Sequence, residues 1–223
     1  MKAFVVDLDS RENQSILKSS TRCSNNQAHQ VNEAVKKIDK LIKNAPYSND
    51  DIILNHNKIK EAFFSPFEPQ LKNAQVFLSH SHADKDKSLE VKNYLENQTK
   101  RKVFIDSLFW DYKDDVLNKL AEYDDVSKIE DAFTLILRES LQDMIEKCPY
   151  FVFLQSKNSV SNQGLSRITY SAWIYEELKI THSISESRPI PMMESMQVFH
   201  DISPFLESFE TITLKKLSQQ INS

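Results

Sequence analysis

Trp173 and Glu177 stand one helical turn apart in this chain, and no other pair has clearer chemical potential. Residues i and i+4 share a helix face. A carboxylate beside a large aromatic, near the ends of strands, can hydrogen-bond both hydroxyls of a ribose. It can also stabilise the positive charge that develops on a sugar as a glycosidic bond breaks. An arbitrary Trp-x-x-x-Glu has a plainer reading, with the tryptophan packed in a core and Glu177 an exposed charge beside Glu176. Glu176 itself sits about 100° round the helix and faces elsewhere.

A second cluster lies in Val76–Asp86, Val-Phe-Leu-Ser-His-Ser-His-Ala-Asp-Lys-Asp. An apolar run stops at small polar residues, and charges then open a helix. This predicts a buried strand that delivers Ser79, His80 and Ser81 to a sheet edge, where α/β proteins bind ligands. His80-x-His82 offers two imidazoles at a strand end. No cysteine or third histidine is placed to complete a tetrahedral zinc set, so no metal site is expected. His82 reads as a solvated loop residue and Asp84 as the cap of the following helix.

Composition limits what these residues can serve. The chain has 223 residues, 40% of them apolar and 27% charged, enough for a core and a polar surface. A net charge of −4 argues against a nucleic-acid partner. Cys23 and Cys148 form no Cys-x-x-Cys pair and read as inert thiols of a reducing cytosol. The apolar run Ala3–Val6 is too short for a signal-peptide core, and no segment approaches the length of a membrane span. Gly164 is the sole glycine, which excludes phosphate loops that need several.

The elements around these residues alternate. The first 65 or so residues read as helical. Val31, Val35, Ile38, Leu41 and Ile42 recur at helical spacing behind Ser24-Asn25-Asn26, and a second helix is expected from Ser48-Asn49-Asp50 through Ile52, Ile59 and Phe63. Residues 1–23 are ambiguous. His56 reads as a satisfied core histidine rather than a ligand. Pro66 and Pro69 mark a boundary, giving a helical segment over 1–70 and an α/β domain over 74–223. In that domain, strands are expected at Val76–Leu78, Lys102–Ile105, Tyr150–Leu154, Arg188–Met193 and Thr211–Leu214. Helices are expected around Val91–Leu95, at 114–122, 128–147 and Ser171–Ile180, and from Ser203-Pro204. Strands separated by helices predict a doubly wound parallel sheet.

Four stretches, in order, resemble the Toll/interleukin-1 receptor (TIR) family. Phe77-Leu78-Ser79-His80-Ser81-x-x-Asp84 is similar to its first strand and loop. Val103-Phe104-Ile105-Asp106 is similar to its second strand, and the following stretch takes the place of its BB loop. Phe151–Leu154 resembles the central strand. Trp173-Ile174-Tyr175-Glu176-Glu177 has the Trp-x-x-x-Glu spacing of TIR domains that cleave NAD. Val-Phe-Ile-Asp-Ser, and Ser-Ala-Trp-Ile-Tyr-Glu-Glu after Ser159, are close to bacterial TIR proteins of the Thoeris anti-phage type. The resemblance covers residues 74–215. Asp111-Tyr112-Lys113 departs from it, because bacterial relatives carry glycine soon after the tryptophan equivalent to Trp110.

The resemblance implies a flavodoxin-like TIR fold and a cytoplasmic NAD glycohydrolase or cyclase. Glu177 would be the catalytic carboxylate. Ser79, His80, Ser81, Phe104, Asp106 and Trp173 would line the substrate pocket. NAD is then substrate rather than cofactor, and the product is a linear or cyclic ADP-ribose-type messenger that activates a separate effector protein. Self-association through TIR surfaces is a further implied contact. The alternative is a non-enzymatic TIR scaffold, for which the glycine-free stretch 107–113 leaves room; Trp110 and Tyr112 within it could stack on a base or form an inter-subunit contact. A nucleoside-processing enzyme of related architecture would need extra acidic pocket residues that cannot be placed.

Overall fold

The structure, a computed structural model, describes residues 1–17, 28–44, 47–48, 51–52, 55–64, 73–105, 107–121, 127–163, 166–185 and 200–223. The chain divides into two units. One comprises Met1–Cys23, Ala74–Ser107 and Gln142–Ser223, and the other Ser24–Asn73 and Leu108–Leu141.

The first unit is α/β. Strands β1 (Lys2–Asp7), β4 (Ala74–Ser79), β5 (Lys102–Ile105), β6 (Tyr150–Gln155) and β10 (Glu210–Thr211) form one parallel sheet in the order β10-β1-β6-β4-β5. Helices α1 (Arg11–Leu17), α4 (Lys85–Thr99), α7 (Ala172–Ser185), α8 (Ser203–Glu207) and α9 (Leu214–Asn222) accompany it. A small antiparallel sheet adds β7 (Ser161–Gln163), β8 (Ser166–Thr169) and β9 (His200–Asp201). Phe151, Val152, Phe153 and Leu154 are all buried, as expected of a central parallel strand covered on both faces. Phe77 stacks on Phe151 at 5.6 Å and also meets Phe104 at 5.8 Å, so neighbouring strands share one aromatic layer.

The strands expected at Val76–Leu78, Lys102–Ile105 and Tyr150–Leu154 lie side by side and parallel. Residues 2–7 depart from the helical segment expected over 1–70, because they form β1. That strand pairs along its whole length with β6, from Lys2 opposite Tyr150 to Asp7 opposite Gln155. In chain order the strands run 5-1-4-2-3 across the sheet, not the 2-1-3-4-5 of flavodoxin-like sheets. Only β5-β4-β6 keep the expected neighbours; the N-terminal strand takes the next place and separates β6 from β10. The expected strand Arg188–Met193 lies outside the described residues.

Right-handed crossovers are the rule for parallel strands. The chain leaving β4 travels outward to β5, and the chain leaving β6 travels the opposite way to β10. By that rule the two crossovers would lie on opposite faces, which makes the carboxyl ends of β4 and β6 the topological switch point of the sheet.

The second unit holds α2 (Ala28–Lys43), the two-residue strands β2 (Tyr47–Ser48) and β3 (Asp51–Ile52), α3 (His56–Phe64), most of α5 (Ser107–Leu120) and the first part of α6 (Ser127–Lys147). Ile38 and Phe63 are buried as the spacing predicts, and Phe63 meets Phe133 edge-on at 5.4 Å. The helix expected from Ser48 instead begins at His56, where the Asn55 side chain accepts from Lys58 N–H. His56 is half-exposed rather than in the core, and its Nε2 lies 2.9 Å from Glu139 Oε2. The loop expected before residue 114 is helical from Ser107. With no glycine or proline between Ser107 and Leu120, nothing interrupts that helix. No helix among the described residues is long and apolar enough to cross a membrane.

Candidate active site

The candidate site forms at the carboxyl end of β4. Ser79 is the last residue of that strand and is fully buried. Its Oγ donates to Glu177 Oε2 at 2.5 Å. Glu177 is delivered by α7, whose first turn is capped by Ser171: its Oγ accepts from Ile174 N–H and its carbonyl from Tyr175 N–H. Ile174, Leu178 and Thr181 form the buried stripe of this helix, and Glu177 falls inside it with 0% exposure. A glutamate in an apolar stripe is rare unless something satisfies it. The exposed-charge reading of Glu177 therefore fails. Glu176 faces elsewhere and pairs with Lys179 at 3.8 Å.

The other expected site residues divide. His80, next to Ser79, is buried, and Ser81 is half-exposed at the start of a single 3-10 turn, His82–Asp84. Trp173 lies one turn before Glu177 on α7 and is half-exposed. Phe104 is core, packed on Phe77. Asp106 lies outside the described residues. His80 and His82 do not act together, since one is interior and the other exposed. Among the described residues no group of three or more metal-ligating side chains could hold an ion.

Asp84 reads in the sequence as the cap of the following helix, and the polar residues it meets are not singled out there. Asp84 makes no capping hydrogen bond with its side chain. Its carboxylate instead accepts from Ser156 Oγ on one oxygen and from Asn158 Nδ2 at 2.8 Å on the other. Ser156 and Asn158 belong to a turn after β6, held by Ser159 Oγ accepting from Ser156 N–H at 2.8 Å. After β1, Asp9 accepts from Lys157 N–H at 2.9 Å and lies 3.6 Å from Lys87 Nζ. Asn13 is buried and joins the Asp7 carbonyl to Leu214 N–H at the start of α9. The density of Ser, Asn and Asp just past each strand was the available signal.

On the outer side of α7, Tyr175 stacks on His200 at 4.4 Å. Burial, reinforced by the Glu176 charge, raises its phenol above the ordinary range. No protein-family model, curated protein or solved structure matches this chain.

Proposed function

We propose that this chain is a TIR-like enzyme that cleaves NAD at the bond between nicotinamide and ribose, with Glu177 as the catalytic carboxylate. The observation that carries the reading is a fully buried carboxylate, hydrogen-bonded to Ser79 at the end of β4, at the switch point between β4 and β6. The neighbours of β4 support it, because β5-β4-β6 is the arrangement the resemblance requires.

The chemistry asks little of the protein. The C1′–N bond breaks and its electron pair goes to the nicotinamide nitrogen, so a cationic ring leaves neutral and needs no general acid. The ribosyl cation left behind is stabilised by the Glu177 carboxylate. Water then adds with loss of a proton, or an internal nucleophile of the ADP-ribose closes a ring. The product is a messenger read by a separate effector, in the manner of anti-phage signalling. Because Ser79 and Glu177 have no exposed surface, NAD reaches the carboxylate as helix α7 shifts away from the end of β4. The ribose hydroxyls then take the place of Ser79 on the carboxylate.

That same burial favours a second reading, a non-catalytic TIR module that binds another TIR surface. Purified protein incubated with NAD, with and without lysate of phage-infected cells, separates the two. Chromatography should resolve free nicotinamide and an ADP-ribose product. NAD left intact in both arms would overturn the enzymatic reading, and capture of a TIR partner would then support the module.

A further inference from the structure

We infer that Asp84 is a positioning residue that locks the loop after β4 to the turn after β6 and thereby fixes His80 and Ser81 at the carboxyl ends of these strands; the inference rests on the reading of those ends as the site. The segment 79–84 is held at both ends. Ser79 is tied to Glu177 on α7 at 2.5 Å. Asp84 is tied to Ser156 and Asn158, 72 and 74 residues further along the chain. His80 and Ser81 lie between the two anchors, and Asp84 N–H also donates to the Ser81 carbonyl at 2.8 Å, closing the turn.

The residue type fits this task better than it fits capping. A capping aspartate would accept from amides of α4, and Asp84 does not. Both of its oxygens are used on the turn after β6, although Asp84 is only 2% exposed. A buried carboxylate is costly unless hydrogen-bonded. Here two donors satisfy it, and its place at the start of α4 sets its charge against the positive end of the helix dipole. The receiving turn is built in advance. Ser156 Oγ accepts from Asn158 N–H at 3.0 Å, and the Ser156 carbonyl receives the amides of Ser159 and Val160. The two bonds therefore join two internally hydrogen-bonded loops, one from each of the adjacent strands β4 and β6.

Hydrogen exchange of the full-length protein tests the lock without reference to activity. D84N turns one acceptor into a donor facing Ser156 or Asn158. Exchange of the Asp84, Ser159 and Val160 amides should then rise about tenfold or more in that variant, the cost of one lost charge-assisted bond. S156A should raise exchange in the same two segments, and D84N/N158D should restore protection by reversing the amide–carboxylate pair. On the NAD reading, D84N should raise KM about tenfold with kcat little changed, since a misplaced pocket weakens binding. A purely structural defect would lower kcat through loss of active protein and leave KM alone. Unchanged exchange at Ser159 and Val160 in D84N, or a loss confined to kcat, overturns the inference. If the wild type turns over no NAD, the enzymatic reading falls, while the exchange pattern and the reversed pair still decide the lock.

Discussion

Ser79 Oγ donates to Glu177 Oε2 across 98 residues of sequence, joining the end of β4 to the middle of α7. Both residues are fully buried, so the bond is made where water cannot replace it. S79A removes the donor while the carboxylate stays inside. We expect a loss of about 1–3 kcal/mol of stability, the usual cost of stripping a partner from a buried group. E177Q should cost less, because the amide oxygen still accepts. A double-mutant cycle in urea should show coupling of about 1 kcal/mol or more. Simple additivity would mean that the contact contributes nothing.

Activity should separate the two adjacent glutamates. E177Q keeps shape but removes the charge aimed at the ribosyl cation, and nicotinamide release should fall on the order of 10²-fold or more. E176Q weakens the ion pair with Lys179 and the charge beside Tyr175 but leaves the Glu177 carboxylate in place, so its rate should stay within about threefold of wild type. Equal rates in the two variants would leave Glu177 a structural residue.

Cys148 should be chemically silent. It is 3% exposed, and burial pushes its thiol up to about 12. At pH 8 only about one molecule in 10⁴ would then carry the thiolate that reacts with alkylating reagents. Peptide mapping after iodoacetamide treatment should find Cys148 unmodified in native protein and modified after denaturation. Native labelling at the rate of a free thiol would show that the site opens.

Strands β4, β5 and β6 were legible because each is an apolar run that ends in polar residues. The helical period could also have placed Glu177 in the buried stripe, since Ile174, Leu178 and Thr181 surround its position; the adjacent Glu176 disguised it as part of a charged face. β1 was not legible. Its apolar run is only Ala3–Val6, and its partners β6 and β10 lie about 150 and 200 residues away. The Asp84 lock was hidden for the same reason: a carboxylate before a helix reads locally as a cap, and its partners exist only after folding. The helix over Ser107–Leu120 was obscured by expecting a BB loop there.

The second unit carries a pH-dependent contact. The hydrogen bond from His56 is the main reason the Glu139 carboxyl sits below its ordinary value of 4.5, with Lys60 adding to it at 3.5 Å. A folded-state value below the unfolded one contributes stability that is complete above the unfolded value and disappears as pH falls through the folded one. The pair is exposed, so the effect on unfolding should be small. The Glu139 carboxyl carbon, followed by NMR, should titrate at higher pH in H56A and shift less in K60A. An unmoved midpoint in H56A would show that the contact does not persist in solution.

The strongest test of the architecture is removal of β1. If residues 74–223 were a self-sufficient sheet with a helical extension, a chain starting at residue 74 would fold. β1 instead lies between β6 and β10 and pairs with both. Phe4, Val5, Val6 and Leu8 are each at most 2% exposed. At roughly 1.5–3 kcal/mol for each buried side chain, these four contribute on the order of 6–12 kcal/mol of gross burial. That is comparable to the whole net stability of an ordinary domain, about 5–15 kcal/mol. Deleting the strand also leaves the full length of β6 as an unpaired apolar edge, a template for aggregation. A 74–223 fragment should therefore be insoluble or lack a cooperative thermal transition. V5D in the full-length chain should do similar damage by placing a charge in the sheet. A soluble 74–223 fragment that melts cooperatively near the wild-type temperature would show that β1 is dispensable and that the order β10-β1-β6-β4-β5 is wrong.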